Sequence, residues 1–212
     1  MASLVGKTVL GVLASGRGSN LQAIMDAISA GSIAAEIGVV ISDNPKANVL
    51  KRVAGTGIPA IPIDRKRFAT RAEFEGEIAR QLNLHHVELV VLAGFMRILS
   101  PDFISLFSGY IMNIHPALLP SFPGLNAQEQ AVNYGVKVSG CTIHFVDEGM
   151  DTGPIILQEA VPVLDGDTPE TLADRILQVE HKLYPKAVAL YCEGRLRVEG
   201  RKVRIVEKGM RL

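Results

Sequence analysis

The sequence has no surplus of either charge: 22 Lys and Arg stand against 22 Asp and Glu. A chain that lives by binding nucleic acid carries a basic excess, so any anion site here is local. Cysteine is nearly absent. Cys141 and Cys192 form no CxxC pair, which excludes a disulfide scaffold and leaves two thiols in a reducing cytosol. No apolar run approaches the ~20 residues that span a bilayer. The start of the chain lacks the charged lead and long apolar core of a signal peptide. The expectation is a cytoplasmic protein with neither nucleic acid nor a membrane as partner. Its 212 residues suit one domain, which at this size buries a core without disulfides or metal.

What is present is an alternation of strand and helix signals. Residues 8–14, 35–42, 60–63 and 89–93 are compact apolar runs, and residues 21–29, 47–55 and 71–84 carry helical periodicity between them. Asp43-Asn44-Pro45 marks a turn. This order predicts an α/β fold: an open, mostly parallel, twisted Rossmann-like sheet with helices on both faces. Ligands in such folds gather at the carboxyl ends of the strands. The second half changes character. A strand over residues 110–114 runs into a proline-rich stretch at 116–123. A helix follows at 127–134, then strands at 139–146 and 154–163. Thr168 caps a long helix, with Thr171 in its first turn, that continues through Tyr184 toward Cys192 past Pro185. Residues 196–206 read as a final hairpin.

Between the first strand and first helix lies SGRGSN, residues 15–20. Glycines bring backbone N–H groups close to a ligand, and a helix N-terminus stabilises an anion. Ser19 and Asn20 are expected to cap that helix. The loop lacks the third glycine of a dinucleotide fingerprint, so a mononucleotide phosphate is the better ligand, with an unliganded turn as the alternative.

Asn113 and His115 are two residues apart at a strand end, so they project to one face, and Pro116 stops the ladder behind them. Asp151 lies in the loop 147–154 between two strands. A carboxylate beside an imidazole favours the charged ring. His85 and His86 are adjacent and cannot share a helix face. His144 and His181 lack ligand-spaced partners, so no metal site is expected. No GxSxG elbow exists, and neither cysteine has an activating partner. Donors and a proton carrier without a nucleophile point to transfer between two bound substrates, one of which brings the nucleophile.

Four segments carry a resemblance, in order: SGRGSNL (15–21), AGFMRILS (93–100), NIHPALLPSFP (113–123) and HFVDEGMDTGPIILQ (144–158). They resemble the glycinamide ribonucleotide formyltransferases, a folate-dependent family, over residues 7–197. The resemblance implies a single formyltransferase-fold domain across residues 1–212, with a mononucleotide-binding half over about 7–100 and a folate and catalytic half over about 101–200. It implies formyl transfer from 10-formyltetrahydrofolate, a co-substrate, to the amine of glycinamide ribonucleotide in purine synthesis, by a monomer or homodimer without metal. Asn113, His115 and Asp151 are then the catalytic set. Gly18, Ser19, Asn20 and Glu180 bind the ribonucleotide, Glu180 at its ribose. The folate lies against Met96, Arg97, Ile98 and Leu99, with Arg71 near its glutamate tail. Asn113 and the loop Asp147, Glu148, Gly149, Met150 and Asp151 complete its site.

Two positions depart from relatives. Asn126 stands where some have histidine and is given no proton-transfer role. Leu177 replaces a polar residue near the phosphate, which leaves the Gly18–Asn20 loop to carry that contact. Three rivals share parts of this pattern. A formyl folate hydrolase is expected to add an N-terminal regulatory domain, and a transfer-RNA formyltransferase a C-terminal one. A nucleotide sensor leaves Asn113, His115 and Asp151 without a task.

Overall fold

The computed structural model describes residues 6–207, which form two compact units dividing after Arg97. The first unit runs β1 (Thr8–Leu13), α1 (Ser19–Ser29), β2 (Ala35–Ser42), α2 (Asn48–Arg52), β3 (Ala60–Pro62), a 3₁₀ turn (Arg65–Arg67), α3 (Arg71–Leu84) and β4 (Leu89–Leu92). Its strands lie in the order β3-β2-β1-β4, all parallel. Leu10, Val12, Leu13, Val40, Ile41, Val90 and Val91 are fully buried, as continuous apolar strands covered on both faces must be. α3 forms because Thr70 and Glu73 make a reciprocal capping box, and Phe74, Ile78 and Leu82, four apart, bury one stripe.

The second unit runs α4 (Pro101–Leu106), β5 (Ile111–His115), α5 (Ala127–Tyr134), β6 (Val138–Phe145), β7 (Ile155–Pro162), α6 (Pro169–Cys192), β8 (Leu196–Glu199) and β9 (Lys202–Ile205). Its order is β5-β6-β7-β9-β8. β6 pairs antiparallel with both β5 and β7, and the β8–β9 hairpin joins β7 through one parallel contact. α6 packs on β6, β7 and α5. The fully buried Tyr184 of α6 donates its hydroxyl to the Met112 carbonyl at 2.9 Å, fixing the helix to β5. Pro185 is buried inside α6 rather than ending it. Thr168 caps the helix and Thr171 answers it.

The architecture is the α/β, mostly parallel, open sheet that the alternation predicts. Two short elements were not anticipated. The 3₁₀ turn is one. α4 is the other, although Ser100 accepts the Phe103 N–H at 3.1 Å and Pro101 opens the helix, both ordinary start signals. One expectation is corrected. Ser19 and Asn20 do not cap α1: Ser19 is its first residue, and the cap is Gly18, left-handed at φ +73° with no side-chain cap bond. No helix among the described residues is long and apolar enough to cross a membrane.

Candidate active site

In the first unit the chain leaves β1 and turns through residues 15–18 into α1. Gly18 is required twice. Its positive φ disfavours any side chain, and an added Cβ would lie 2.6 Å from Val49 Cγ2. α2 holds the loop from below. Val49 N–H donates to the Gly16 carbonyl at 3.0 Å, and Arg52 Nε donates to the Arg17 carbonyl at 3.2 Å. Ser15 Oγ accepts the Met96 N–H at 2.9 Å, tying the loop to the segment after β4. Gly16 and Arg17 are exposed, Ser19 is half-buried and Asn20 is buried. The free N–H ends of α1 follow directly, a ready-made anion cradle.

The segment 96–99 divides by exposure. Met96 and Ile98 are 65% and 66% exposed, whereas Leu99 is buried. Core packing therefore explains Leu99 alone, and the other two present apolar surface of the kind that meets a ligand. Arg97 is held by the buried Asp43 carboxylate and lies over the Phe74 ring, 5.7 Å from its centroid. Asp43, read from the sequence as a turn residue only, thus also anchors Arg97. Arg71, in the first turn of α3, pairs with the buried Glu75 at 2.9 Å.

The second unit brings Asn113, His115 and Asp151 together. Asn113 and His115 share one face of β5, opposite His144 and Thr142 of β6. His115 is buried, with Nδ1 3.3 Å from Asp151 Oδ2. Its Nε2 lies 2.7 Å from the Phe122 carbonyl. A carbonyl only accepts, so Nε2 carries the hydrogen of that bond. Asp151 Oδ2 also accepts the Gly124 N–H at 2.7 Å. The carboxylate is presented by a residue at φ +54°, in a loop closed by Gly153, where a Cβ would strike the Phe145 carbonyl at 1.8 Å.

Several groups that support these three were missed in the sequence. His144 is buried, with Nδ1 2.8 Å from the Phe145 carbonyl and Nε2 3.2 Å from Asn113 Nδ2. Nδ1 must donate to the carbonyl, so neutral His144 offers Nε2 as an acceptor and orients the Asn113 amide, whose NH₂ keeps a second hydrogen. Burial holds His144 below the ordinary histidine range. The Phe145 bond and the Asp151 charge, 3.7 Å from Nε2, oppose this only in part. Thr142 is fully buried opposite His115. Its hydroxyl donates to the Ala117 carbonyl at 2.6 Å and accepts from Leu119 N–H at 3.0 Å and Gln158 Nε2 at 2.9 Å. That saturates a hydroxyl and holds the proline-rich loop whose Phe122 carbonyl meets His115. The available signal was Thr142 and His144 at i and i+2 in the otherwise apolar strand CTIHF.

Asp147 braces its own loop. It accepts from Thr152 Oγ1 at 2.6 Å and Gly149 N–H at 3.2 Å, holding the turn that presents Asp151. Glu148 and Gly149 are exposed, and so is Met150. Glu180 is buried on α6. Asn126 sits left-handed ahead of α5 without a side-chain cap bond. Cys141 is fully buried, and burial pushes its thiol up to about 12, far from nucleophilic use. Among the described residues no group of His, Cys, Asp and Glu side chains could hold a metal ion.

Residues 9–188 match the formyl transferase family. The chain is 45% identical over 177 residues to phosphoribosylglycinamide formyltransferase of Bacillus subtilis, covering 84% of this chain and 91% of that protein. It is 52% identical over 188 residues to the trifunctional purine biosynthetic protein adenosine-3 of Drosophila pseudoobscura pseudoobscura, covering 88% of this chain but only 14% of that much longer protein. The solved glycinamide ribonucleotide transformylase 1 of Symbiobacterium toebii superposes with a TM-score of 0.93 at 50% identity, covering 96% of each chain.

Proposed function

The chain belongs to the formyl transferase family, and from that premise we propose that it is a phosphoribosylglycinamide formyltransferase. It moves the formyl group of 10-formyltetrahydrofolate onto the amine of 5-phosphoribosylglycinamide, giving the N-formyl product and tetrahydrofolate in purine biosynthesis. The observation that carries the reading is the pair of buried His115 and half-buried Asp151 at 3.3 Å, beside Asn113 and with no nucleophile in the cluster among the described residues. A proton carrier and an amide donor without a nucleophile suit a reaction in which one substrate attacks the other.

The amine attacks the formyl carbon and gives a tetrahedral oxyanion. Asn113 donates the amide hydrogen that His144 leaves it. Protonated His115, paired with Asp151 through Nδ1, donates from Nε2 once that hydrogen exchanges the Phe122 carbonyl for the oxyanion. One such donor contributes about 3–4 kcal/mol to the barrier. Protonated His115 gives its proton to the leaving folate nitrogen as the C–N bond to folate breaks, and the proton of the attacking amine then returns to His115, directly or through water ordered by Asp151. Holding both substrates in one place supplies the orientation term.

The binding roles extend the same reading. Gly18, Ser19 and Asn20 hold the phosphate, and Glu180 the ribose. Met96, Ile98 and the 147–151 loop cover the folate with Arg97 and Leu99, and Arg71 meets its glutamate. On this reading the chain is a single formyltransferase domain that acts on small molecules in the cytoplasm, as a monomer or homodimer, with neither nucleic acid nor a membrane as partner.

The test is an absorbance assay with a 10-formyl folate, run with and without the ribonucleotide. Deformylated folate that appears only with the ribonucleotide is the expected result. Equal release without it would make the protein a hydrolase, and no release in either arm would overturn catalysis altogether.

A further inference from the structure

Two loops of the second unit meet at Gly124. Its N–H donates to Asp151 Oδ2 at 2.7 Å. A Cβ built on it would lie 3.0 Å from Met150 Sδ, so the thioether packs over the face that this glycine leaves bare. Gly124 is left-handed at φ +80°, which glycine adopts without strain. Gln130 fixes both of its neighbours, donating from Nε2 to the Pro123 carbonyl at 3.2 Å and to the Leu125 carbonyl at 2.9 Å. Met150 and Asp151, consecutive in the chain, thus clasp one braced residue, the first with a sulfur and the second with a carboxylate.

Met150 is nevertheless 52% exposed. Of the other described methionines, Met112 is fully buried, Met25 is half-buried and Met96 is exposed. The thiols are less accessible: Cys141 is fully buried and Cys192 is half-buried. An accessible thioether is open to two-electron oxidants, which turn it into a polar, chiral sulfoxide. At Met150 the new oxygen is a strong acceptor with two partners within reach. One is the Gly124 N–H that Asp151 now holds, and the other is water. Either choice breaks the clasp, because the apolar contact with Gly124 is lost or Asp151 loses its hydrogen bond.

We propose that Met150 is a reversible oxidation site through which peroxide turns the enzyme off, by freeing the loop that presents Asp151 to His115. This inference rests on the formyl-transfer reading. In the modification a sulfur lone pair attacks one oxygen of hydrogen peroxide, the O–O bond breaks and an S–O bond forms. The departing hydroxide takes the proton of the transferred oxygen and leaves as water, so sulfur is oxidised by two electrons and peroxide is reduced. Methionine sulfoxide reductases, one for each epimer, return the thioether. A dithiol becomes a disulfide in that step, and the oxygen leaves as water.

The experiment treats the full chain with hydrogen peroxide, removes the excess with catalase, and follows oxygen addition at each methionine by peptide mass spectrometry alongside kcat and both KM values. The expected result is a fall in kcat of roughly a hundredfold, the cost of misplacing a reacting group by about 1 Å, in step with oxidation at Met150. The two reductases restore the rate, and dithiothreitol alone does not. Met150→Leu, whose side chain cannot take up oxygen, holds its own untreated rate through the treatment, while Met96→Leu still loses kcat. Circular dichroism establishes that the variants and the oxidised protein fold. Complete oxidation of Met150 at unchanged kcat overturns the switch, and so does a loss that persists in the folded Met150→Leu variant. Recovery with dithiothreitol alone would assign the loss to a thiol and overturn it as well. Each of these leaves formyl transfer intact. Untreated protein without ribonucleotide-dependent turnover overturns the formyl-transfer reading and the switch with it.

Discussion

His115 Nδ1 lies 3.3 Å from Asp151 Oδ2, while Nε2 of the same ring meets the Phe122 carbonyl at 2.7 Å. Both nitrogens face acceptors, the arrangement that a doubly protonated imidazolium satisfies. Asp151 supplies the countercharge from a loop that closes against β6, so the proton carrier depends on residues far apart in the chain.

Asp151→Asn keeps the shape of the side chain and removes its charge. The variant is expected to melt near the wild-type temperature and to lose roughly 10²- to 10⁴-fold in kcat, the range of acid–base catalysis. Wild-type turnover in the folded variant would remove Asp151 from the mechanism.

His144 titrates below the ordinary histidine value because burial disfavours its charged form. The unfolded chain therefore binds a proton that the folded chain refuses, and stability rises with pH across the window between the two values. The contribution is complete above the unfolded value of about 6.5 and is lost as pH falls toward the lowered folded value. A melting temperature that drops below pH 6.5, with a shallower drop in His144→Gln, is the expected outcome. An unchanged slope in His144→Gln would assign the acid sensitivity to another group.

Gly18→Ala places a methyl group against Val49 at a left-handed residue. A side chain there costs about 1–2 kcal/mol in backbone energy alone. Displacing the loop should raise KM for the ribonucleotide by roughly tenfold or more, with KM for the folate much less affected. Steady-state kinetics with each substrate varied in turn separates the two. Equal changes in both constants would argue against a phosphate role for this loop.

Thr142→Val conserves shape and deletes a hydroxyl that makes three hydrogen bonds. The Leu119 N–H would be left buried and unpaired, at about 1–3 kcal/mol. Urea unfolding is expected to show that loss, together with a lower kcat as the Phe122 carbonyl loses its alignment with His115. A stability loss at unchanged kcat would separate the proline-rich loop from the chemistry.

Much of the fold is legible without coordinates, because its signals are local. The helices over 71–84 and 127–134 and the strand over 35–42 match α3, α5 and β2 to the residue. Periodicity, caps and turn residues act within a few positions of one another, and so does the i, i+2 rule that sets Asn113 and His115 on one face. The short α4 and the 3₁₀ turn escaped notice because one or two turns bury too little to leave a period, and the α1 cap was misplaced by one residue. The distance from Asp151 to His115, the His144 lone pair that aims Asn113, the Thr142 hydroxyl under the proline-rich loop and the exposure of Met96 and Ile98 were decided only by tertiary structure. Each depends on the register of β5 against β6 or on the path of a loop. Pairing across tens of residues is set by the sum of many packing contacts, which no short stretch of sequence contains.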